Sequence, residues 1–155
     1  MAEFTFHHGG VSVPSLDEAI EWYGRVLGFE LEKRFWIEAA RSHTAMVRKG
    51  PLRFELFEVE GAASLPEDRR SPLRDLLVHG NKHVAFRVED IEAFLAEMTE
   101  KGADIAFVVR EAFGKGCFIR DCAGNLIEFV EDGSQQPGPG GGRLTAATGP
   151  VIRAG

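Results

Sequence analysis

The chain repeats itself, and the repeat limits what it can fold into. His8-Gly9-Gly10-Val11-Ser12-Val13 reads as a short strand with alternating faces. Seven residues after His8 comes Ser15, with Glu18 three further on, the signature of a capped helix start. Leu16, Ala19, Ile20, Tyr23 and Leu27 follow helical spacing, and Gly28 sits where a terminating glycine belongs. The second half does the same. His83-Val84-Ala85-Phe86-Arg87-Val88 is a strand, and Asp90, seven residues after His83, is the helix cap. Ile91, Phe94, Leu95 and Met98 form the apolar face, and Gly102 ends the helix. Strand-like runs follow each helix: 30–37, 43–49 and 52–59 in the first half, then 105–109, 116–120 and 126–131 in the second.

Each half is therefore a βαβββ module of roughly 50 residues, marginal if it stood alone. The expected architecture is α+β, with two βαβββ modules paired into a cup-shaped mixed sheet and helices outside. Module 1 covers 4–59, a linker loop 60–81 and module 2 82–132. From Gly133 to Gly155 ten of 23 residues are Gly or Pro and none is aromatic, which predicts a flexible tail. The remainder is rich enough in apolar residues, twelve Phe among them, to fill a core. A net charge of −6 argues against nucleic-acid or anionic-membrane partners. No apolar run approaches the roughly 20 residues of a membrane span. Nor does the start resemble a signal peptide, so a cytoplasmic protein is expected. Cys117 and Cys122 are too few for a disulfide framework, and without a second pair they do not suggest a zinc knuckle.

The repeat also places polar residues in register. His8 and His83 lie on the first strand of each module, and Glu55 and Glu128 lie in the apolar last strands, Phe54-Glu55-Leu56 and Ile127-Glu128-Phe129. The separations are 47 and 45 residues. A carboxylate in such a strand is costly to bury unless it is paired or bound to a metal. Two imidazoles and two carboxylates converging in the cup would suit one divalent ion: Zn, Ni, Co, Mn or Fe. His7 competes with His8, but only His8 matches the spacing of His83 to its helix cap. His43 and His79 are read as surface or rim residues. Alternation from Glu55 puts Arg53 and Phe57 on the lining of the cup.

At this point the chain resembles the vicinal oxygen chelate superfamily, which includes glyoxalase I, acyl-CoA epimerases, extradiol dioxygenases and fosfomycin and bleomycin resistance proteins. The resemblance covers residues 4–132. Its motifs are His8-x-Gly10-Val11-x-Val13, Trp22-Tyr23-Gly24-Arg25-Val26-Leu27-Gly28-Phe29, Phe54-Glu55-Leu56-Phe57, His83-Val84-Ala85-Phe86 and Asp121-Cys122-Ala123-Gly124-Asn125-Leu126-Ile127-Glu128. Cys122 and Ala123 replace the family's usual Pro and Asp, which should change the stiffness of the turn and leave the ligand position alone. By this resemblance His8, Glu55, His83 and Glu128 occupy the metal positions.

The resemblance also implies a reaction. A metal that chelates neighbouring substrate oxygens stabilises an enediolate, and Glu55 or Glu128 serves as catalytic base. A metal-dependent epimerase or isomerase acting on a small hydroxyketone or acyl substrate is therefore expected. The alternatives are an Fe(II)-dependent ring-cleaving dioxygenase, a group whose usual set is two His and one Glu, and a drug-binding resistance protein without turnover. Ser12 stands where glyoxalase I usually has a glutathione-holding arginine. No extended cationic patch suits a CoA phosphate, although Arg69, Arg70 and Arg74 lie in the linker. The Gly140–Gly142 run has no strand before it and no helix after it, so it is not a phosphate cradle. Many relatives dimerise, and Phe4, Phe6, Phe35 and Trp36 leave apolar material for a homodimer interface.

Overall fold

The structure is a computed structural model that describes residues 2–111 and 114–132. Two four-stranded sheets carry the chain. The first is built from β1 (Gly9–Ser12), β2 (Glu30–Ile37), β3 (Ser42–Lys49) and β4 (Leu52–Val59), in the order β1-β4-β3-β2. The second repeats that order with β5 (Val84–Arg87), β6 (Asp104–Glu111), β7 (Gly114–Arg120) and β8 (Leu126–Asp132) as β5-β8-β7-β6. In each sheet the first strand runs parallel to the last and the other pairings are antiparallel. The paired βαβββ modules are those the repeat predicts. Their ladders form two separate sheets and do not close into one.

Helix α1 (Leu16–Leu27) starts where Ser15 accepts the Glu18 N–H at 3.3 Å, and it stops at Gly28, whose φ of 73° suits a residue without a Cβ. Helix α3 (Ile91–Glu100) starts where Asp90 accepts the N–H groups of Glu92 and Ala93. A second cap lies outside the helices. Glu58 accepts the Leu16 N–H at 2.5 Å and Glu131 accepts the Ile91 N–H at 2.8 Å, so each last strand sets a carboxylate on the positive end of its own module's helix. Between the modules the expected loop is partly ordered, as a 3₁₀ turn at Glu67–Arg70 and a short helix α2 (Pro72–Asp75). Asp75 is buried there and pairs with Arg69 and Lys82, which ties the linker to the residue just before His83.

One core serves both modules. Tyr23, Val26, Phe54 and Leu56 from the first join Met98, Ile119, Ile127 and Phe129 from the second. Phe54 and Phe86 meet at 5.9 Å between ring centroids. A Cβ on Gly9 would lie 3.3 Å from both Val84 and Phe54, so the two first strands come close only because position 9 is glycine. Polar ties bridge the same junction: Tyr23 donates to Asp121 at 3.1 Å, Arg25 to the Lys101 carbonyl at 2.8 Å, and Lys101 to the Val26 carbonyl at 3.0 Å. No helix among the described residues is long and apolar enough to cross a membrane. The predicted tail, 133–155, lies outside the described residues.

Candidate metal centre

In a parallel pair of strands, residues at matching register share a face. Gly10 lies opposite Glu55 and Ala85 opposite Glu128. The helices cover the other face, where Phe54, Leu56, Ile127 and Phe129 point into the core. The histidines stand one residue before β1 and β5, at the mouths of these strands and not within them as expected. Each reaches the glutamate of its own sheet: His8 Nε2 lies 3.0 Å from Glu55 Oε2, and His83 Nε2 lies 3.0 Å from Glu128 Oε2. All four side chains are partly exposed, from 16% for Glu55 to 34% for His8.

The structure thus brings the four residues together as two matched pairs, one on each sheet. Among the described residues no group of three or more His, Cys, Asp or Glu side chains is placed to hold an ion. The reason lies in the topology. Each pair is built on its own sheet, and the modules meet through their helix-side cores. His83 is braced by the Phe118 ring at 5.0 Å, edge to face. The His7 and His8 Nδ1 atoms touch at 2.6 Å, so the two histidines expected on opposite faces are neighbours ahead of the ladder. His43 stacks on Trp36 at 4.8 Å, and His79 is exposed in the linker, so both are surface residues.

Asp121 organises the final turn, which leads into the strand that carries Glu128. The Asp121 carboxylate accepts the N–H groups of Ala123 and Asn125 and the Asn125 amide, which explains why Cys122 and Ala123 can stand where the resemblance expects other residues. Burial raises the Asp121 carboxyl above its ordinary range, and the bonds from Asn125, Tyr23 and Ala123 partly offset this. Cys117 is buried and Cys122 exposed, both as free thiols. A cavity of about 420 Å³ at the start of α1 does not involve the pairs. Its charges are already matched, Asp17 with Arg34 and Glu58 with the helix end.

Around the two pairs the sheets differ. On the first, Lys33, Met46, Glu55 and Gly10 form one row across the strands, flanked by Phe35, Thr44, Phe57 and Ser12 on one side and by Arg48 opposite Arg53 on the other. Arg53 and Phe57 therefore share the face of Glu55, as alternation predicts. On the second sheet the equivalent row is Phe107, Phe118, Glu128 and Ala85, beside Val109, Gly116 and Val130. The sequence reading missed Arg48, Lys33 and Glu32 around Arg53, because cross-strand register brings them together. It also missed Glu58 and Glu131, although both lie three residues after a candidate ligand, and that repeated spacing was a usable signal.

Two paired βαβββ modules with a His–Glu pair on each open face define a glyoxalase-type protein. The model of the Glyoxalase/Bleomycin resistance protein/Dioxygenase superfamily matches residues 7–119, and the chain belongs to that superfamily. The matched stretch includes His8, Glu55 and His83 and ends before Glu128. A 2-epi-5-epi-valiolone epimerase from an Actinomyces species is 32% identical over 102 residues, which cover 56% of this chain and 53% of that protein. The match thus spans about half the length of that relative. A glyoxalase family protein from Enterococcus faecalis has the same fold, with a TM-score of 0.69 at 22% identity over 82% of this chain and 97% of its own. The trypanothione-dependent glyoxalase I of Leishmania major gives a TM-score of 0.64 at 21% identity over 83% and 87%.

Proposed function

We propose that the chain is a metal-dependent epimerase or isomerase that removes and returns a proton next to a carbonyl, on a small hydroxyketone or acyl substrate. His8, Glu55, His83 and Glu128 are the ligands of one divalent ion, which is Zn, Ni, Co, Mn or Fe. The observation that carries this reading is the pair of His–Glu contacts, each 3.0 Å long, at matching places in the two modules. The donors fit such an ion in kind: two imidazole nitrogens and two carboxylate oxygens, partly exposed, with nitrogen and oxygen 3.0 Å apart within each pair. The similarity to an epimerase supports the reaction class.

The described residues of one chain do not gather the quartet, so a second copy completes it: the His8–Glu55 pair of one protomer meets the His83–Glu128 pair of its partner. Phe4 and Phe6, 93% and 70% exposed, supply apolar surface for such a homodimer. When bound, the metal polarises the substrate carbonyl and acidifies the adjacent C–H. The chain's own part is proton transfer: one glutamate accepts the proton and the other returns it, help that is worth about 10²–10⁴-fold. His8 and His83 fix the orientation of the carboxylates.

The test is metal content at equal folded yield. His8→Ala and His83→Ala should each lose most bound metal, and light scattering should report a dimer. Metal-loaded Glu55→Gln or Glu128→Gln should stop exchange of the substrate α-proton with deuterated water. Stoichiometric metal in both histidine variants would overturn the site. Oxygen consumption in step with substrate would replace the reaction with a dioxygenase.

A further inference from the structure

Arg48 and Arg53 stand directly opposite each other on β3 and β4. Two like charges in that position destabilise a sheet unless an anion lies between them. Among the described residues the one acid bonded to Arg53 is Glu32, at 2.9 Å, from the irregular stretch of β2. Its carboxyl is held below the ordinary range first by the hydrogen bond from Arg53, then by the charges of Arg53, Arg48 and Lys33. With Glu30 opposite Arg48, three cations face two carboxylates at this corner of a chain whose net charge is −6, so the local balance of charge does not reflect overall composition. Arg53 is two residues from Glu55 on the same strand and the same face. The equivalent positions on the second sheet hold no such cluster. Leu126 replaces Arg53 and Phe107 replaces Lys33, while Arg120, in the place of Arg48, is bonded at 2.9 Å to Asp104, which stands in the place of Glu30.

We propose that Arg53, with Arg48 and Lys33, forms an oxyanion-binding subsite beside Glu55, so that the substrate carries a carboxylate or phosphate on its module 1 side. This rests on the reading of Glu55 as part of the active site. In the free protein Glu32 occupies the subsite, and it gives way to the substrate's anion. Arginine suits the role because its planar fork meets both oxygens of such a group. Phe107, Phe118, Val109 and Val130 line the other half-site, so the opposite end of the substrate is its less polar end.

Inorganic phosphate, titrated into the full-length protein at constant ionic strength and followed by the backbone amide signals of residues 46–55, tests the subsite. The wild type should saturate. Arg53→Gln should weaken binding about tenfold or more, the factor carried by a lost charge-assisted bond. Glu32→Gln should tighten it by removing the competing carboxylate. Both variants break the same ion pair, so a merely structural effect would move them in the same direction, whereas a subsite moves them in opposite directions. No saturable binding, or equal change in the two variants, overturns the proposal. In metal-loaded protein, Arg53→Gln should raise the KM of a phosphorylated or carboxylated hydroxyketone and leave that of its neutral parent unchanged. Absence of α-proton exchange with any ketone would defeat the epimerase reading, whereas the phosphate result judges the subsite by itself.

Discussion

Replacing Tyr23 with Phe tests how the two modules are held together. Tyr23 is fully buried in α1 of the first module, and its hydroxyl donates to Asp121 Oδ2 in the second module at 3.1 Å. Tyr23→Phe keeps the ring and its contact with Phe54, 5.2 Å between centroids, and deletes one bond to a charged acceptor. Such bonds contribute about 1.5–3 kcal/mol. Asp121 keeps the Asn125 amide at 2.9 Å on the same oxygen, so the loss should fall at the lower end, about 1–2 kcal/mol at neutral pH. Urea unfolding followed by far-UV circular dichroism reads this as a lower midpoint at unchanged slope.

The pH dependence sharpens the test. Burial raises Asp121, so the folded state holds its proton more tightly than the unfolded chain does, and this contribution falls as pH rises through that window. The Tyr23 hydroxyl opposes the rise, so in Tyr23→Phe the carboxyl moves higher still. The deficit of the variant is then largest where Asp121 is ionised, and it shrinks toward acid pH. It shrinks again at alkaline pH. Burial, and then the charge of Asp121, push Tyr23 well above 10.0, so only the unfolded wild type ionises as pH climbs past that value, and the wild type loses stability that the variant never had. A deficit below about 0.5 kcal/mol at pH 7, less than any ordinary hydrogen bond to a charged group, would refute the reasoning. So would a deficit that grows on acidification. A double-mutant cycle with Asp121→Asn isolates the pairwise part.

Two further outcomes follow from the same geometry. Glu131→Gln and Glu58→Gln remove a negative charge from a helix N-terminus while keeping an acceptor; each should cost about 0.3–1 kcal/mol, less at high salt, and an effect that salt leaves unchanged would count against the helix-end role. Burial, and then the charge of Glu128, push the Cys117 thiol from 9.0 up to about 12, so the unfolded chain ionises first and stability falls between those values; Cys117→Ala should flatten that part of an alkaline unfolding curve, and in native protein a thiol reagent should label only Cys122 quickly.

The elements were legible in the sequence because they rest on local rules. Ser15 and Asp90 cap, Gly28 terminates, and alternation marks the strands, so β2 and β4 run over the expected residues and the other strands shift by only one or two at their ends. The choice of His8 over His7 came from comparing the two modules, and His8 is the one that meets Glu55. Register and module docking were not legible, because they depend on contacts between residues far apart in the chain. Tyr23 and Asp121 are 98 residues apart, and Glu58 reaches α1 across 42. Nothing local marks Asp121 as the group that both shapes the last turn and ties the modules together. The same limit explains the quartet. Matching spacings show that two His–Glu pairs are equivalent, but equivalence within a repeat does not bring the repeats face to face. Whether the two open faces meet depends on how helix-side surfaces pack, here on Phe54 against Phe86 and on the missing side chain of Gly9. That packing joins the modules through their helix-side faces, and it leaves each His–Glu pair on the open face of its own sheet.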